Sequence, residues 1–348
     1  MERKIVHKES ISAGKYQGKN DDDIFVGENY VAVIDGVSHK SSLRTDTGEI
    51  KIAKIITEAI EKIDGYRAPA YAKNLNFDEF VRYINWYIEK YLKEKNFENV
   101  IGQMEATGAV YSKSFNQIWL VGDCRAIYDG HVVKNPLKID DVYVDIRIQI
   151  VKALLQEGYS EEVLENNDIS KSIIHNPELL SQYITDKKLQ EQIEEYRKNR
   201  IKSALLECGF SESEIESNSL VKKYYNPRDL QAMLKNNPNM GDYGYAIFNG
   251  KYTEQKNCKI AQLPQNVKNI KLFSDGFSVD SLNNDKDIGF AVRKILNRAK
   301  NDPLSIGDNK ATHPAKQYSK YRKEKAIDDA SAVIIEIKQQ EYELDERG

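Results

Sequence analysis

Residues 30–36 read YVAVIDG, five apolar residues followed by an Asp-Gly pair. A short continuous apolar run closed by such a pair is typical of a buried strand. The shorter run IFV at residues 24–26 stands just before it, and the turn residues 27–29 separate the two. The pattern therefore predicts two strands joined by a turn, with an acidic residue at the end of the second strand.

Helical and strand patterns continue outward along the chain. Apolar residues recur at helical spacing over residues 52–63 and again over 80–92, where Asn76 is the expected N-cap. Strand patterns occupy residues 106–111, 117–121, 126–128, 244–248, 269–273 and 332–337, with a further helix expected at 288–299. Strands near both ends, with helices inserted between them, imply an α+β domain whose sheet is assembled from both ends of the sequence.

Residues 136–238 differ from the rest, since they are charged, helical in period and poor in strand signals. Two stretches, ALLQEGYSE at 153–161 and ALLECGFSE at 204–212, share a pattern of helix, Gly C-cap, aromatic residue and Ser N-cap. A repeat array needs at least three units, so we interpret them as one helix-turn-helix pattern used twice. We predict one domain from residues 1–136 and 239–348, and a helical insertion at 137–238 that is a lid, a docking element or a peripheral bundle.

Composition excludes several classes of protein. The 348 residues include 51 Lys and Arg and 54 Asp and Glu, a net charge of −3, which gives no reason to expect nucleic acid or a membrane as partner. We find neither a signal peptide nor an apolar membrane span, and we expect a cytoplasmic protein.

The small number of Cys and His residues limits which metal ions the protein could bind. Three Cys without a CxxC pair and five scattered His make a disulfide framework, a thiolate zinc site and a short-range His site improbable. A catalytic metal would have to be held by carboxylates, and hard oxygen ligands select Mg²⁺ or Mn²⁺.

Four acidic residues stand at strand ends or in the turns beside them: Asp22, Asp35, Asp275 and Asp328. Each alone is explained by ordinary turn chemistry, because Asp caps its own backbone and Gly tolerates positive φ. Their order along the chain is more informative. The motifs concerned are Asn20-Asp21-Asp22, Asp35-Gly36, Ala106-Thr107-Gly108, Gly122-Asp123-Cys124-Arg125, Ser274-Asp275-Gly276 and Asp328-Asp329. Together they resemble the metal-dependent type 2C protein phosphatases of bacterial type.

The resemblance implies a β-sandwich flanked by helices with two Mg²⁺ or Mn²⁺ ions at one end. Asp35 and the Gly36 carbonyl would contact both ions, Asp22, Asp275 and Asp328 would complete their shells, and Asp123 would bind a third ion together with Asp275. The implied activity is hydrolysis of phosphoserine and phosphothreonine in a phosphoprotein by a metal-bridging hydroxide. No Cys or Ser nucleophile is then required.

The sequence departs from the family pattern at several positions. Gln17 stands where many members place a phosphate-binding arginine, which leaves Lys19 and Lys15 as substitutes, and lysine lacks bidentate geometry. Val37 stands where some members have a histidine, and Asp280 comes one position late for the family's Asp-Gly-x-x-Asp motif, which begins here at Asp275. Two alternatives therefore stay open: a pseudophosphatase that uses its insertion for docking, and a phosphohydrolase acting on a small phosphoester.

Overall fold

The strand that carries Asp35 lies inside a sheet, with a neighbour on each side. The structure, a computed structural model, describes residues 2–11, 20–37, 42–45, 48–64, 74–160, 169–275 and 330–338. In it β3 (Tyr30–Gly36) pairs with β2 (Asp23–Val26) and with β6 (Ala106–Ser112), both antiparallel. The predicted hairpin at residues 24–34 is confirmed.

The first sheet has the strand order β10-β7-β6-β3-β2, where β7 is Gln117–Val121 and β10 is Lys259–Gln262. Side chains of β3 alternate between its two faces. Val31 and Val33 point into the interior between the sheets, whereas Tyr30, Ala32 and Ile34 pack with the helices on the outer face. Both faces are covered, and this explains why the sequence shows an unbroken apolar run instead of an alternating one.

The second sheet joins the two ends of the chain. Its order is β1-β12-β11-β8-β9, with β1 at Glu2–Ile11, β8 at Arg125–Tyr128, β9 at His131–Val133, β11 at Asn269–Phe273 and β12 at Ala330–Lys338. All pairs are antiparallel. The prediction of a sheet assembled from both ends of the sequence is confirmed, although β1 was not predicted, because its charged sequence ERKIVHKESI contains no apolar run.

An apolar core lies between the two sheets. Its buried side chains come from both of them, including Val33 and Leu120 of the first sheet and Leu272 and Ile335 of the second. Two helices, α1 (Ile52–Asp64) and α2 (Phe77–Glu94), cover the outer face of the first sheet and complete a second core there. A small hairpin, β4 (Ser42–Thr45) and β5 (Gly48–Lys51), leads directly into α1. The predicted α+β class, a β-sandwich flanked by helices, is confirmed.

Both predicted helices in this region are present. The predicted N-cap Asn76 forms a capping box at the start of α2: its side chain accepts from the Glu79 amide at 3.0 Å, and the Glu79 carboxylate accepts from the Asn76 amide at 2.9 Å. This arrangement satisfies two backbone donors that the first helical turn would otherwise leave exposed.

Between β9 and β10 the chain folds into helices with a core of their own. They are α3 (Lys138–Gln156), α4 (Ile169–His175), α5 (Leu180–Tyr183), α6 (Lys187–Glu207), α7 (Glu212–Ser217), α8 (Ser219–Lys222) and α9 (Pro227–Leu234). We call residues 138–243 the helical segment. Its buried core includes Val142, Leu154, Ile201 and Leu205. The exact domain boundaries at 136 and 239 remain a prediction.

The repeated capping pattern is visible in this segment. Gly158 and Gly209 follow α3 and α6 with φ of 89° and 94°, the left-handed conformation expected of C-cap glycines. Ser211 then forms a capping box with Glu214 at the start of α7. The helix predicted after Ser160 falls on residues outside the described part of the chain.

The strand predicted at residues 244–248 is wrong, and the helix predicted at 288–299 cannot be compared with the structure. Residues 244–248 form no strand. They make only isolated bridges, Tyr245 to Lys235 and Phe248 to Ala106, because the chain here meets two different partners in succession. The helix expected at 288–299 lies outside the described residues. None of the helices described is long and apolar enough to span a membrane.

Candidate metal centre

Three carboxylates meet at one end of the sandwich. Asp35, Asp123 and Asp275 each offer one carboxylate oxygen, and these three oxygens lie within 4.8 Å of one another. Asp275 is buried, whereas Asp35 and Asp123 are half-buried. Carboxylate oxygens are the ligands that Mg²⁺ and Mn²⁺ prefer, and a bound cation would offset the mutual repulsion of three negative charges held this close. The donor set therefore fits a divalent metal ion.

Strand ends bring the three residues together. Asp35 is the penultimate residue of β3, and Asp123 follows the end of β7 by two positions, so both come from the first sheet. Asp275 follows the end of β11 by two positions and so comes from the second sheet. The three residues stand at or just beyond the ends of strands from two sheets that pack on a common core, and this preorganises the site.

The turn that presents Asp123 is built around a glycine. Gly122 has φ of 80°, and a Cβ at this position would overlap the side chain of Thr107. Its carbonyl accepts a hydrogen bond from the Asn135 side-chain amide at 2.6 Å. Since both conformation and space require glycine here, the backbone can turn sharply and aim Asp123 at the other two carboxylates.

Thr107 orients Asp123 from the neighbouring strand. Its hydroxyl donates to Asp123 Oδ1 at 3.0 Å, and it lies opposite Asp35 in the register of β3 and β6. The same hydroxyl is 3.4 Å from the thiol sulfur of Cys124. A hydrogen bond of this kind fixes which carboxylate oxygen faces the centre of the cluster. The sequence presents Thr107 as one small residue of a strand, so this role was missed.

Cys124 packs beside the cluster as a neutral thiol. It is completely buried, and burial raises its pKa well above the usual range. The charges of Asp35, Asp123 and Asp275 act in the same direction, against a smaller opposing effect of the Thr107 hydrogen bond. A thiol that is neither exposed nor ionised is a poor nucleophile, which agrees with the interpretation of Cys124 as a packing residue.

The start of the last strand is tied to the residue before Asp275. The Ser274 amide donates to the Ser331 carbonyl at 2.9 Å, and the Ser331 amide donates to Ser274 Oγ at 2.9 Å. Both serines are fully buried. Ser331 comes three positions after Asp328, which lies outside the described residues, so the role of Asp328 stays a prediction.

Asp22 lies beside the cluster but is not one of the three converging carboxylates. It is 8% exposed, and it immediately precedes the first residue pair of β2 and β3, Asp23 opposite Ile34. Its amide donates to Asn20 Oδ1 at 2.9 Å. Gly36, also predicted to contribute, is buried and pairs with Ala106. Lys15 and Lys19, the two predicted phosphate ligands, lie outside the part of the chain that the structure describes.

A lysine that the sequence did not single out lies near Asp22. Lys51, the last residue of β5, donates from its ammonium to the Asn20 carbonyl at 2.6 Å, and its nitrogen is 4.0 Å from an Asp21 carboxylate oxygen. It therefore holds the loop in front of β2 through a charged hydrogen bond. Asp21 and Lys51 are 30 positions apart in the sequence, so no local pattern predicts this contact.

No protein-family model and no curated protein matches the chain. Among solved structures it is similar to the serine/threonine phosphatase PstP/Ppp of Mycobacterium tuberculosis, with 12% identity over 97% of this chain and 99% of that chain and a TM-score of 0.41. A serine/threonine phosphatase of S. agalactiae shows 11% identity over 97% and 100% of the two chains, with a TM-score of 0.39. The catalytic domain of PstP, in a structure with two manganese ions, shows 12% identity over 96% of this chain and 99% of that chain, with a TM-score of 0.39.

Proposed function

We propose that the protein is a Mg²⁺- or Mn²⁺-dependent phosphatase that hydrolyses phosphoserine and phosphothreonine in protein substrates. The observation that carries the proposal is the convergence of Asp35, Asp123 and Asp275, with one oxygen of each within 4.8 Å of the others. The order of the sequence motifs around these residues supports it, since it resembles that of the type 2C phosphatases.

Some of the proposed metal ligands are supported by the structure and one by the sequence alone. Asp35, Asp123 and Asp275 form the cluster, and Asp22 and the Gly36 backbone stand next to it along β2 and β3. Asp328 is proposed from the sequence alone. Two ions held by this set, with a third at Asp123 and Asp275, are the stoichiometry that the resemblance implies.

When bound, such ions acidify a water molecule and neutralise charge on the phosphoryl oxygens. The protein's own residues supply the frame for this chemistry. Thr107 fixes the orientation of Asp123, and the Gly122 turn sets its position. Burial makes the Cys124 thiol a poor nucleophile, so we assign the attack on phosphorus to an oxygen drawn from solvent.

The experiment is phosphate release from a phosphothreonine peptide and from p-nitrophenyl phosphate in the presence of Mn²⁺. We expect turnover by the wild-type protein and a loss of about a hundredfold or more in kcat/KM for Asp275→Asn. The matched control is Asp229→Asn, which alters an exposed carboxylate in the first turn of α9 and should leave the rate unchanged. Wild-type turnover no higher than that of Asp275→Asn would show that the cluster is not catalytic.

The same assay separates the proposal from its two alternatives. A pseudophosphatase would hydrolyse neither compound, and calorimetry would then show whether it still binds Mn²⁺. A small-molecule phosphohydrolase would give a higher kcat/KM on phosphorylated metabolites than on phosphopeptides. The three converging carboxylates favour a centre that binds a cation, because like charges held this close repel one another unless a positive ion lies between them.

A further inference from the structure

A largely buried ion pair joins the helical segment to the strand beside the acidic cluster. The Lys235 ammonium, directly after α9, contacts the carboxylate of Glu105, directly before β6. The two side chains are only 14% and 5% exposed. Parting such a pair is costly, because it would leave a largely buried charge without its partner.

Glu105 also binds the backbone that follows Asp35. Its carbonyl accepts a hydrogen bond from the Val37 amide at 3.0 Å. Val37 comes directly after the Asp35-Gly36 pair, so one residue binds the helical segment with its side chain and the Asp35 turn with its main chain. A shift of Glu105 would therefore move the end of β3 that carries Asp35.

A second connection runs beside the first. Ala106 and Phe248 exchange two backbone hydrogen bonds, of 3.0 and 2.9 Å, and the Asn236 amide donates to the Tyr245 carbonyl at 2.8 Å. The Ala246 carbonyl passes so close to Gly122 that a Cβ there would stand 3.2 Å from it. The chain leaving the helical segment thus lies against the residue that precedes Asp123.

Tyr245 shows that the ion pair and the cluster are near each other. Burial raises the pKa of the Tyr245 phenol well above the usual range, and the negative charges of Glu105 and Asp123 act in the same direction. Lys235 lies over the same ring, 6.0 Å from its centroid. One aromatic side chain therefore lies within the electrostatic reach of the ion pair and of a residue of the acidic cluster.

We infer that Glu105 and Lys235 are positioning residues whose ion pair couples the helical segment to the orientation of the Asp35 turn. The consequence for hydrolysis rests on the proposed function, whereas the coupling itself concerns only the geometry of the chain. Because coupling between two parts of a protein is reciprocal, metal bound at the cluster should in turn steady the helical segment next to Lys235.

The test replaces the pair by neutral groups of similar size in the double variant Glu105→Gln/Lys235→Met, which leaves the summed charge of the pair at zero. We expect the Val37 amide to exchange its hydrogen about tenfold faster than in the wild type, measured without metal. Mn²⁺ affinity, measured by calorimetry, should fall by about tenfold. The single variant Lys235→Arg keeps the charge pair, so its Val37 exchange rate and its Mn²⁺ affinity should both match those of the wild type.

A matched control is Lys202→Met, which removes an ion pair to Glu216 on the exposed surface of the helical segment. It should change neither Val37 exchange nor Mn²⁺ affinity. Wild-type exchange at Val37 in the double variant would overturn the inference. Because that readout needs neither metal nor a phosphate ester, it holds even if the wild-type protein proves to hydrolyse nothing.

If the double variant does not fold, amide exchange of the wild-type protein with and without Mn²⁺ still tests the coupling. Saturation with Mn²⁺ should slow amide exchange at residues 228–236 and 245–248 as well as at the cluster. Protection confined to the strands around Asp35, Asp123 and Asp275 would contradict the coupling.

Discussion

The Thr107 hydroxyl donates a hydrogen bond to Oδ1 of Asp123 across 3.0 Å, and it stands opposite Asp35 in the paired strands β3 and β6. One neutral side chain thus lies beside two of the three clustered carboxylates. It fixes the orientation of one of them without adding charge, a common way of preparing a metal ligand.

Thr107→Val should weaken Mn²⁺ binding by about tenfold, because the valine keeps the shape of threonine but cannot donate to Asp123. Calorimetric titration measures the affinity. Thr107→Ser retains the hydroxyl and should bind Mn²⁺ nearly as well as the wild type. Equal affinities for the valine and serine variants would show that the hydrogen bond does not orient the ligand.

Asp64→Ala should lower the free energy of unfolding by about 3 kcal/mol. The Asp64 carboxylate is buried and accepts hydrogen bonds from the amides of Glu28, Asn29 and Tyr30, at 2.6, 2.5 and 3.0 Å, which close the turn between β2 and β3. Urea unfolding gives the value. Glu94→Ala, at an exposed ion pair in α2, is the control and should cost less than about 0.5 kcal/mol.

Stability should fall as the solution becomes alkaline. Burial raises the pKa of the Cys208 thiol from 9.0 to about 11, with a smaller contribution from Glu207. Below pH 9 the thiol is protonated in both the folded and the unfolded chain, so it imposes no penalty. As the pH rises from about 9 towards 11, the unfolded chain loses this proton first, which favours unfolding.

Urea unfolding at about pH 8 and about pH 10 measures this effect. Cys208→Ala should reduce the difference between the two pH values, since it removes one of the groups whose proton is held by folding. An unchanged difference in the variant would mean that Cys208 ionises equally easily in both states.

Cys124→Ser should hydrolyse phosphate esters at a rate close to that of the wild type. The thiol is buried and its raised pKa keeps it neutral, so it takes no part as a nucleophile, and serine can keep the contact with Thr107. Steady-state kinetics on p-nitrophenyl phosphate are sufficient. A loss of a thousandfold or more, of the kind seen when a nucleophile is removed, would assign the chemistry to Cys124 instead.

Local patterns in the sequence predicted the centre of the fold well. Residues 30–36 and 106–111 gave strands because their apolar runs report burial on both faces, and Asn76 gave a helix start through its capping chemistry. The charged strand β1 was missed because its place is fixed by pairing with β12 at the far end of the chain. Segment 244–248 was assigned wrongly as a strand, since its backbone makes only isolated bridges to two different partners, Lys235 and Ala106.

The site shows the same division between local and distant information. Asp35, Asp123 and Asp275 could be selected from their motifs, and the structure brings all three together. Thr107 and the pair of Glu105 and Lys235 could not, because strand register and a contact across 130 positions define them. Such roles arise from the folded chain and leave no pattern of spacing in the sequence.

The central claim is that the acidic cluster holds the divalent metal on which hydrolysis depends. A crystal of the wild-type protein soaked in Mn²⁺ and measured at the manganese absorption edge tests it most directly. We predict anomalous density bounded by the carboxylates of Asp35, Asp123 and Asp275, and its loss in Asp275→Asn. A soaked wild-type crystal without anomalous density at these three residues would contradict the account.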